Sequence, residues 1–362
     1  MADGPAALAL RRLLHPAYRY LETEVHPLRY LFLELTRRCN LRCRHCGSDC
    51  DRDPRPGELG TAEWLAFFDH LAARFDRRRL ALVLTGGEPL CHPDCWALFE
   101  ALRAHGLAFG LVTNGWALTA ANVARLRACG VASVTVSLDG LAPAHDWLRG
   151  RAGAFDRAVT GVARLAAAGL PFFDVVTCVH PGNLAELPAV RALLQRLGVR
   201  AWRLFPIFPR GRAATDAALR LEAADYQRLL RFIAAERRAL RGTDFTVSLS
   251  CEGYLPPARD ASVRDEPYFC RAGISIGGVL CDGTIAACPN IGAGLAQGNL
   301  RRDDFATVWE QRFAAYRDRR WMRRGECVSC GEWGRCRGNS LHLWDEARGA
   351  PAVCTLRAAG GG

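Results

Sequence analysis

The chain has 362 residues, half of them hydrophobic and 23% charged, a globular composition that rules out an extended disordered protein. The formal net charge is +11, and all 48 basic residues are Arg, scattered rather than gathered in one stripe; this argues against a dedicated nucleic-acid binder and leaves open a basic cleft for an anionic substrate. No stretch reads as a membrane span, and Arg11 and Arg12 follow the apolar start rather than precede it, the reverse of a secretion signal, so a cytoplasmic protein is expected.

Residues 1–28 read as an N-terminal extension with a short helix, broken by Pro16 and Pro27. Strand and helix patterns then alternate. Tyr30–Thr36 reads as a strand, followed by a helix near Thr61–Phe75. The same pairing recurs as Leu80–Thr85 with Pro93–His105, Ala108–Thr113 with Thr119–Cys129, and Ala132–Leu138 with Ala154–Ala168. It closes with Phe172–Val179 and Leu184–Leu197, then Ala201–Pro206 and Ala223–Leu240. Short apolar runs alternating with 3.6-period segments predict a parallel sheet with right-handed crossovers. The expected fold is α/β, a partial (β/α)6 barrel; a full eight-unit barrel is the rival, but the pattern stops near residue 240. Beyond it the chain turns to Cys, Gly and Arg, and Val279–Ile285 reads as a hairpin turning at Asp282-Gly283. The expected organisation is an extension over 1–28, a barrel over 29–245 and a small Cys-rich domain over 246–362.

Sixteen cysteines are the outstanding number. A chain this long needs no disulfides, and without an export signal clusters of thiols point to metal. One group is Cys39, Cys43, Cys46 and Cys50; another is Cys270, Cys281, Cys288, Cys327, Cys330, Cys336 and Cys354. Cys91, Cys95, Cys129, Cys178 and Cys251 lie outside both, and Cys129 and Cys178 read as core residues. Cys178 falls on a strand with one face toward the barrel interior, where a thiol is also a candidate hydrogen-atom donor. His92, His145, His180 and His342 show no partner pattern.

Cys39-x3-Cys43-x2-Cys46 follows the first strand directly, where barrel folds build their active sites. Three thiolates at this spacing suit three corners of an iron–sulfur cube and leave one iron open. Zinc is the alternative, with His45 or Cys50 as fourth donor. The motif resembles the signature of the radical S-adenosylmethionine (SAM) superfamily, with His45 where an aromatic residue usually stands. Thr85-Gly86-Gly87-Glu88-Pro89, at the second strand end, resembles the family's GGEP motif, which binds the SAM amino group. Two glycines there allow close backbone approach to a ligand. Thr113-Asn114-Gly115 ends the third strand and Ser137-Leu138-Asp139-Gly140 the fourth. Asn183 and Pro209-Arg210-Gly211-Arg212 follow the fifth and sixth. Singly these are ordinary turns; together, at successive strand ends over about residues 30–212, they carry the resemblance. It implies that Cys39, Cys43 and Cys46 hold a 4Fe–4S cluster. It also implies SAM contacts from Gly86, Gly87, Glu88, Pro89, Asn114, Ser137, Asp139, Asn183 and Arg212. The implied chemistry is reductive cleavage of SAM to a 5′-deoxyadenosyl radical that abstracts a substrate hydrogen atom, with a reductase, flavodoxin or ferredoxin as electron donor.

The later cysteines resemble the SPASM extension, which carries auxiliary 4Fe–4S clusters. By that resemblance Cys327, Cys330, Cys336 and Cys354 form one complete set. The other takes Cys270 and Cys288, lacks a cysteine because Ser340 stands in its place, and needs one more ligand, with Cys281 the candidate and Cys251 a weaker one. One or two auxiliary clusters are therefore expected; a shorter relative of the domain would use Cys270, Cys288, Cys327 and Cys330 for one. A zinc ribbon is the alternative for the Cys-x2-Cys pair.

The resemblance implies modification of a peptide or protein. With only about 28 residues before the first strand, a separate N-terminal peptide-recognition domain is not expected, and Pro289 after Cys288 argues against a sulfatase-maturing activity. A small molecule such as a porphyrin precursor, sugar or cofactor intermediate is the second reading, and a non-catalytic iron–sulfur or zinc scaffold the third. No nucleic-acid or membrane partner is expected.

Overall fold

The structure is a computed structural model that describes residues 5–53, 56–250 and 253–361, the first four of these by backbone alone. It is an α/β fold around one large parallel sheet. The strands β1 (Tyr30–Thr36), β2 (Ala81–Gly86), β3 (Phe109–Thr113), β4 (Ser133–Ser137), β5 (Phe173–Val179) and β6 (Ala201–Pro206) lie side by side in chain order. Every neighbouring pair among them is parallel. Sequential order is what a barrel requires, and a doubly wound sheet would reverse it.

The helices α2 (Thr61–Arg74), α3 (Cys95–Ala104), α4 (Ala120–Ala128), α6 (Ala154–Ala168), α7 (Leu187–Arg196) and α8 (Ala223–Ala239) supply the outer layer. Their inward stripes meet one face of each strand. Leu31, Leu33, Leu35, Leu82, Leu84, Val134, Val136, Trp202 and Leu204 are completely buried against them. The alternate residues Phe32, Val83, Val112, Val176, Arg203 and Phe205 stay partly exposed. Strand side chains alternate with period two, so this pattern separates a dry outer wall from an accessible lumen.

Three features depart from the sequence expectation. A helix α5 (Ala142–Arg149) follows β4, capped by the left-handed Gly150, where no helix was expected. The strand run does not stop at six: β7 (Thr246–Leu249) adds a seventh parallel strand beside β6. Third, Pro16 does not break the first helix, α1 (Pro5–Val25). Pro16 lies on the exposed side of that helix. The opposite side is anchored, with Arg12 donating to the Arg264 carbonyl at 3.1 Å and Ser275 donating to Glu22 at 2.6 Å. Docking of this face outweighs the one hydrogen bond that Pro16 removes.

The expected hairpin forms from β8 (Ile276–Val279) and β9 (Thr284–Ala286). Its first strand also pairs in parallel with β1. The Cys-rich segment therefore extends the barrel sheet on the β1 side, with β10 (Gly298–Asn299) at the far edge.

Candidate active site

The site is assembled where the first four parallel strands end. β1 leaves the sheet at Thr36 and runs into Cys39. The end of β2 is pressed against this exit. The Gly87 N–H donates to the Thr36 carbonyl at 2.8 Å, and the Glu88 N–H to the Arg38 carbonyl at 2.9 Å. A Cβ on Gly86 would stand 2.4 Å from the Thr36 carbonyl oxygen, and one on Gly87 would stand 2.2 Å from that of Arg38. Gly86 also has φ +119. Both glycines are thus required by contact between two strand ends, a different need from the ligand approach expected of them.

Glu88 is completely buried and acts as a tie between β2 and β3. The Thr113 hydroxyl donates to its carboxylate at 2.9 Å and the Asn114 N–H at 2.8 Å. Pro89 is buried and opens a short turn whose Leu90 N–H points back to Glu88. Asn114 in turn donates to Asn40 Oδ1 at 2.7 Å and reaches Cys39 Sγ at 3.8 Å. The side chain of the third strand end therefore meets the first cysteine.

The fourth strand end meets the second. Asp139 is buried without exposure and paired with Arg149 at the end of α5, at 2.6 Å. Arg149 also extends to Cys43 Sγ at 3.7 Å. Burial works against the charge on Asp139, but Arg149 outweighs it and holds the carboxyl below its usual range. Burial likewise works against the Arg149 cation, and Asp139 and Cys43 outweigh that, so it stays protonated. The remaining Asp139 oxygen accepts from the Cys178 N–H at 2.8 Å. Asn183 donates to the Asp139 carbonyl at 2.6 Å and the Cys178 carbonyl at 2.9 Å, so its amide positions the site from below. Ser137 is buried at the end of β4, in register with Val176.

Arg212 approaches from the β6 side. It donates to the carbonyls of Cys43 and Cys50, at 2.7 and 2.9 Å, and to Asp49 at 2.8 Å. It braces the cysteine loop rather than facing the lumen. Gly211, at φ +53, lies against the Cys46 carbonyl, where a Cβ would be 2.3 Å away.

The three thiols differ in their surroundings. Burial pushes Cys39 up to about 12. A hydrogen bond from Cys50 brings Cys46 down to about 6; the Cys50 N–H also donates to Cys46 Sγ at 3.3 Å. A cation is needed to make all three thiolates together, which an iron cluster supplies. Cys39, Cys43 and Cys46 come from one loop, with Asn114 and Arg149 reaching toward two of the sulfurs, and this donor set fits a cluster. Cys50 stands beside Cys46 as a hydrogen-bonding neighbour. His45 faces the other way, its nitrogen within 4.8 Å of donor atoms of Asp139 and Cys178. Burial lowers His45 to about 3, so the ring is neutral. His45 Nδ1 and His180 Nε2 are buried and have no hydrogen-bond partner among the described residues. Polar ring atoms in this state beside the cysteine loop suit a polar ligand such as SAM.

Sequence reading missed Arg149, His145 and Asn40. Arg149 lies on the unexpected helix α5 and is one of 48 arginines, so no spacing marked it. The Asp139 N–H donates to His145 Nδ1 at 2.9 Å, a contact fixed only by folding.

In the second cysteine group, Cys327, Cys330, Cys336 and Cys354 face one another: Cys327 feels Cys354 and Cys330, and Cys336 feels Cys354 and Cys327. Cys270 and Cys288 are likewise neighbours. Cys281 is elsewhere: its N–H donates to Glu34 at 3.3 Å, its carbonyl accepts from Leu59, and the charges around it are Glu34, Glu58, Arg37 and Asp282. The hairpin turn carries it to the β1 strand, away from the pair it was expected to join. Cys251 lies outside the described residues. A cavity of about 680 Å³ lies beyond the cysteine loop, bordered by Phe208, Arg210, Trp344, Glu346 and Arg348.

Gly87→Ala should destabilise the fold by about 1–3 kcal/mol or more, because the Arg38 carbonyl is backbone and cannot step aside. Gly334→Ala, where nothing lies within 4 Å of the new Cβ, is the control and should melt like the parent. Equal melting of the two variants would contradict the strand-end contact.

Burial also raises the Glu88 carboxyl to about 7, against the hydrogen bonds that favour its charge. Between its unfolded value of about 4.3 and this one, the folded chain keeps a proton that the unfolded chain has released. Its contribution to stability is thus fullest below the unfolded value and is lost as pH rises through about 7. The melting-temperature advantage of the parent over Glu88→Gln should shrink from pH 5 to pH 8. A constant difference would show that Glu88 is charged in the fold throughout.

The model of the Radical SAM superfamily matches residues 33–194. The AdoMet-dependent heme synthase of Oleidesulfovibrio alaskensis is 29% identical, over 94% of this chain and 90% of its own. The mycofactocin maturase MftC of Mycobacterium tuberculosis is 32% identical, over 85% of this chain and 77% of its own. The PqqA peptide cyclase of a Methylobacterium is 28% identical, over 90% and 86%. Among solved structures, Streptococcus suis SuiB bound to S-adenosylmethionine superposes with a TM-score of 0.70 at 15% identity, covering 98% of this chain and 84% of that one. No helix among the described residues is long and apolar enough to cross a membrane. The chain is an enzyme that belongs to the radical SAM superfamily, with a C-terminal region of the SPASM type.

Proposed function

We propose that this enzyme binds SAM on a 4Fe–4S cluster held by Cys39, Cys43 and Cys46 and uses it to modify a peptide. When bound, the cluster supplies the electron that cleaves SAM and so the radical that abstracts a substrate hydrogen atom. The protein's own part is position and exclusion of water. Asn114 and Arg149 orient the sulfur loop, Arg212 ties down its outer side, and the Asp139–Arg149 pair with His45 and His180 offers polar groups to SAM. Gly86, Gly87, Glu88 and Pro89 set the strand end on which the SAM amino group would rest, and Ser137 and Asn183 complete the wall. Substrate would enter the lumen lined by Phe32, Val83, Val112, Val176 and Phe205. Cys327, Cys330, Cys336 and Cys354 would hold an auxiliary cluster. A cytoplasmic reductase, flavodoxin or ferredoxin would supply electrons.

The observation that carries the peptide reading is the likeness to the PqqA peptide cyclase across most of both chains. A second reading has its own support. The heme synthase relative matches almost end to end, at 94% and 90% coverage, which favours a tetrapyrrole substrate.

Anaerobic incubation with dithionite and SAM should release 5′-deoxyadenosine from the parent enzyme. Cys39→Ala, Cys43→Ala and Cys46→Ala should each lose at least about 100-fold of that yield, while Cys50→Ala retains it. A precursor peptide encoded beside the enzyme should change mass in the same reaction. A mass change in a porphyrin precursor, with none in the peptide, would establish the second reading instead.

A further inference from the structure

The two auxiliary positions of the C-terminal region are not alike. Cys327, Cys330, Cys336 and Cys354 form a complete donor set. Among the described residues the position of Cys270 and Cys288 has two thiols, Cys270 buried and Cys288 partly so. Ser340, in the place of an expected cysteine, is completely buried. Its hydroxyl accepts from the Gly253 N–H at 3.2 Å and lies 3.1 Å from the Tyr268 hydroxyl. The neighbouring Asn339 fixes this segment by accepting from the Tyr254 N–H at 2.8 Å and donating to the Val353 carbonyl at 3.1 Å. Ligation of iron by Ser340 would compete with its contacts to Gly253 and Tyr268, at a cost for each buried polar group left unpaired.

Arg319 fills the other side. It is buried, and its guanidinium donates to the carbonyls of Cys270, Tyr316 and Asn339 at 2.9, 3.1 and 3.3 Å. It also hydrogen-bonds the Cys270 side chain. Cys281, the candidate to complete the set, is held against Glu34 and Leu59. Among the described residues, two thiols, an engaged hydroxyl and a guanidinium do not make the four-thiolate cage that a 4Fe–4S cube takes.

We propose that the Cys270–Cys288 position carries no cluster, and that Arg319, Tyr268 and Ser340 form a hydrogen-bonded plug that joins the Cys270 loop to residues 316–340 in its place. The inference rests on the cluster assignment above. It predicts two clusters in the chain, one on Cys39, Cys43 and Cys46 and one on Cys327, Cys330, Cys336 and Cys354.

The test is iron and sulfide content of the anaerobically reconstituted full chain. Two cubes give about 8 iron per chain and three give about 12. The parent should hold about 8. The Cys270→Ala/Cys288→Ala variant should hold the same, and Cys327→Ala/Cys330→Ala about 4. The Cys39→Ala/Cys43→Ala/Cys46→Ala variant should also fall to about 4, which separates this inference from the assignment of the SAM site. A parent value near 12, or loss of about 4 iron on removing Cys270 and Cys288, overturns the proposal. If the double variant does not fold, Cys336→Ala/Cys354→Ala decides: a fall to about 4 iron supports the proposal, and retention of about 8 overturns it, because a single cluster on Cys270, Cys288, Cys327 and Cys330 would not need those two thiols.

Discussion

The contact between the ends of the first two strands is the constraint on which the rest of the site depends. Two carbonyls of the β1 exit, on Thr36 and Arg38, occupy the space where side chains of residues 86 and 87 would stand. Only glycines permit it. The same approach lets the Gly87 and Glu88 N–H groups bond to those carbonyls, and Glu88 then reaches Thr113 and Asn114 on the third strand. Strand ends that would otherwise splay are thereby fixed, and Cys39 begins its loop from a defined point. Each later element of the site is hung on this loop: Asn114 at Cys39, Arg149 at Cys43, Arg212 at the carbonyls of Cys43 and Cys50.

Charge is arranged with the same economy. The site contains a buried ion pair, Asp139 with Arg149, and two neutral imidazoles, His45 and His145, beside it. Leaving a buried carboxylate without its arginine would be strongly destabilising. The pair therefore holds Arg149 where it meets a sulfur, and gives the loop a cation before any metal is bound. Around the auxiliary quartet the arginine beside Cys327, Cys330 and Cys354 is the exposed Arg357, while the Cys270 pair has the buried Arg319 hydrogen-bonded directly to the Cys270 carbonyl. That contrast, rather than the count of cysteines, distinguishes the two positions.

Much of this was legible in the sequence where a signal repeats. Six parallel strands were readable because each carries a short apolar run, and β1 and β6 begin and end at the expected residues. The four-residue β7 and β8 were less so: neither contains enough residues to show alternation, and the pairing of β8 with β1 joins residues far apart in the chain. Cys39, Cys43 and Cys46 stood out by their spacing, and the fold packs them together on one loop. The destinations of Glu88, Asn183 and Arg212 were not, because each spends its polar atoms on backbone or side-chain groups of other loops. Pro16 misled because a local rule was overridden by docking of the opposite helix face, and Cys281 because proximity in a hairpin does not fix which way a turn presents its thiol.

The central claim is that the early cysteine loop binds a cluster able to take SAM as a ligand. Electron paramagnetic resonance of the dithionite-reduced enzyme tests it most directly. The account predicts a reduced-cluster signal whose g-values shift on addition of SAM and which is absent from Cys43→Ala. A spectrum from an iron-replete sample that is indifferent to SAM would contradict it.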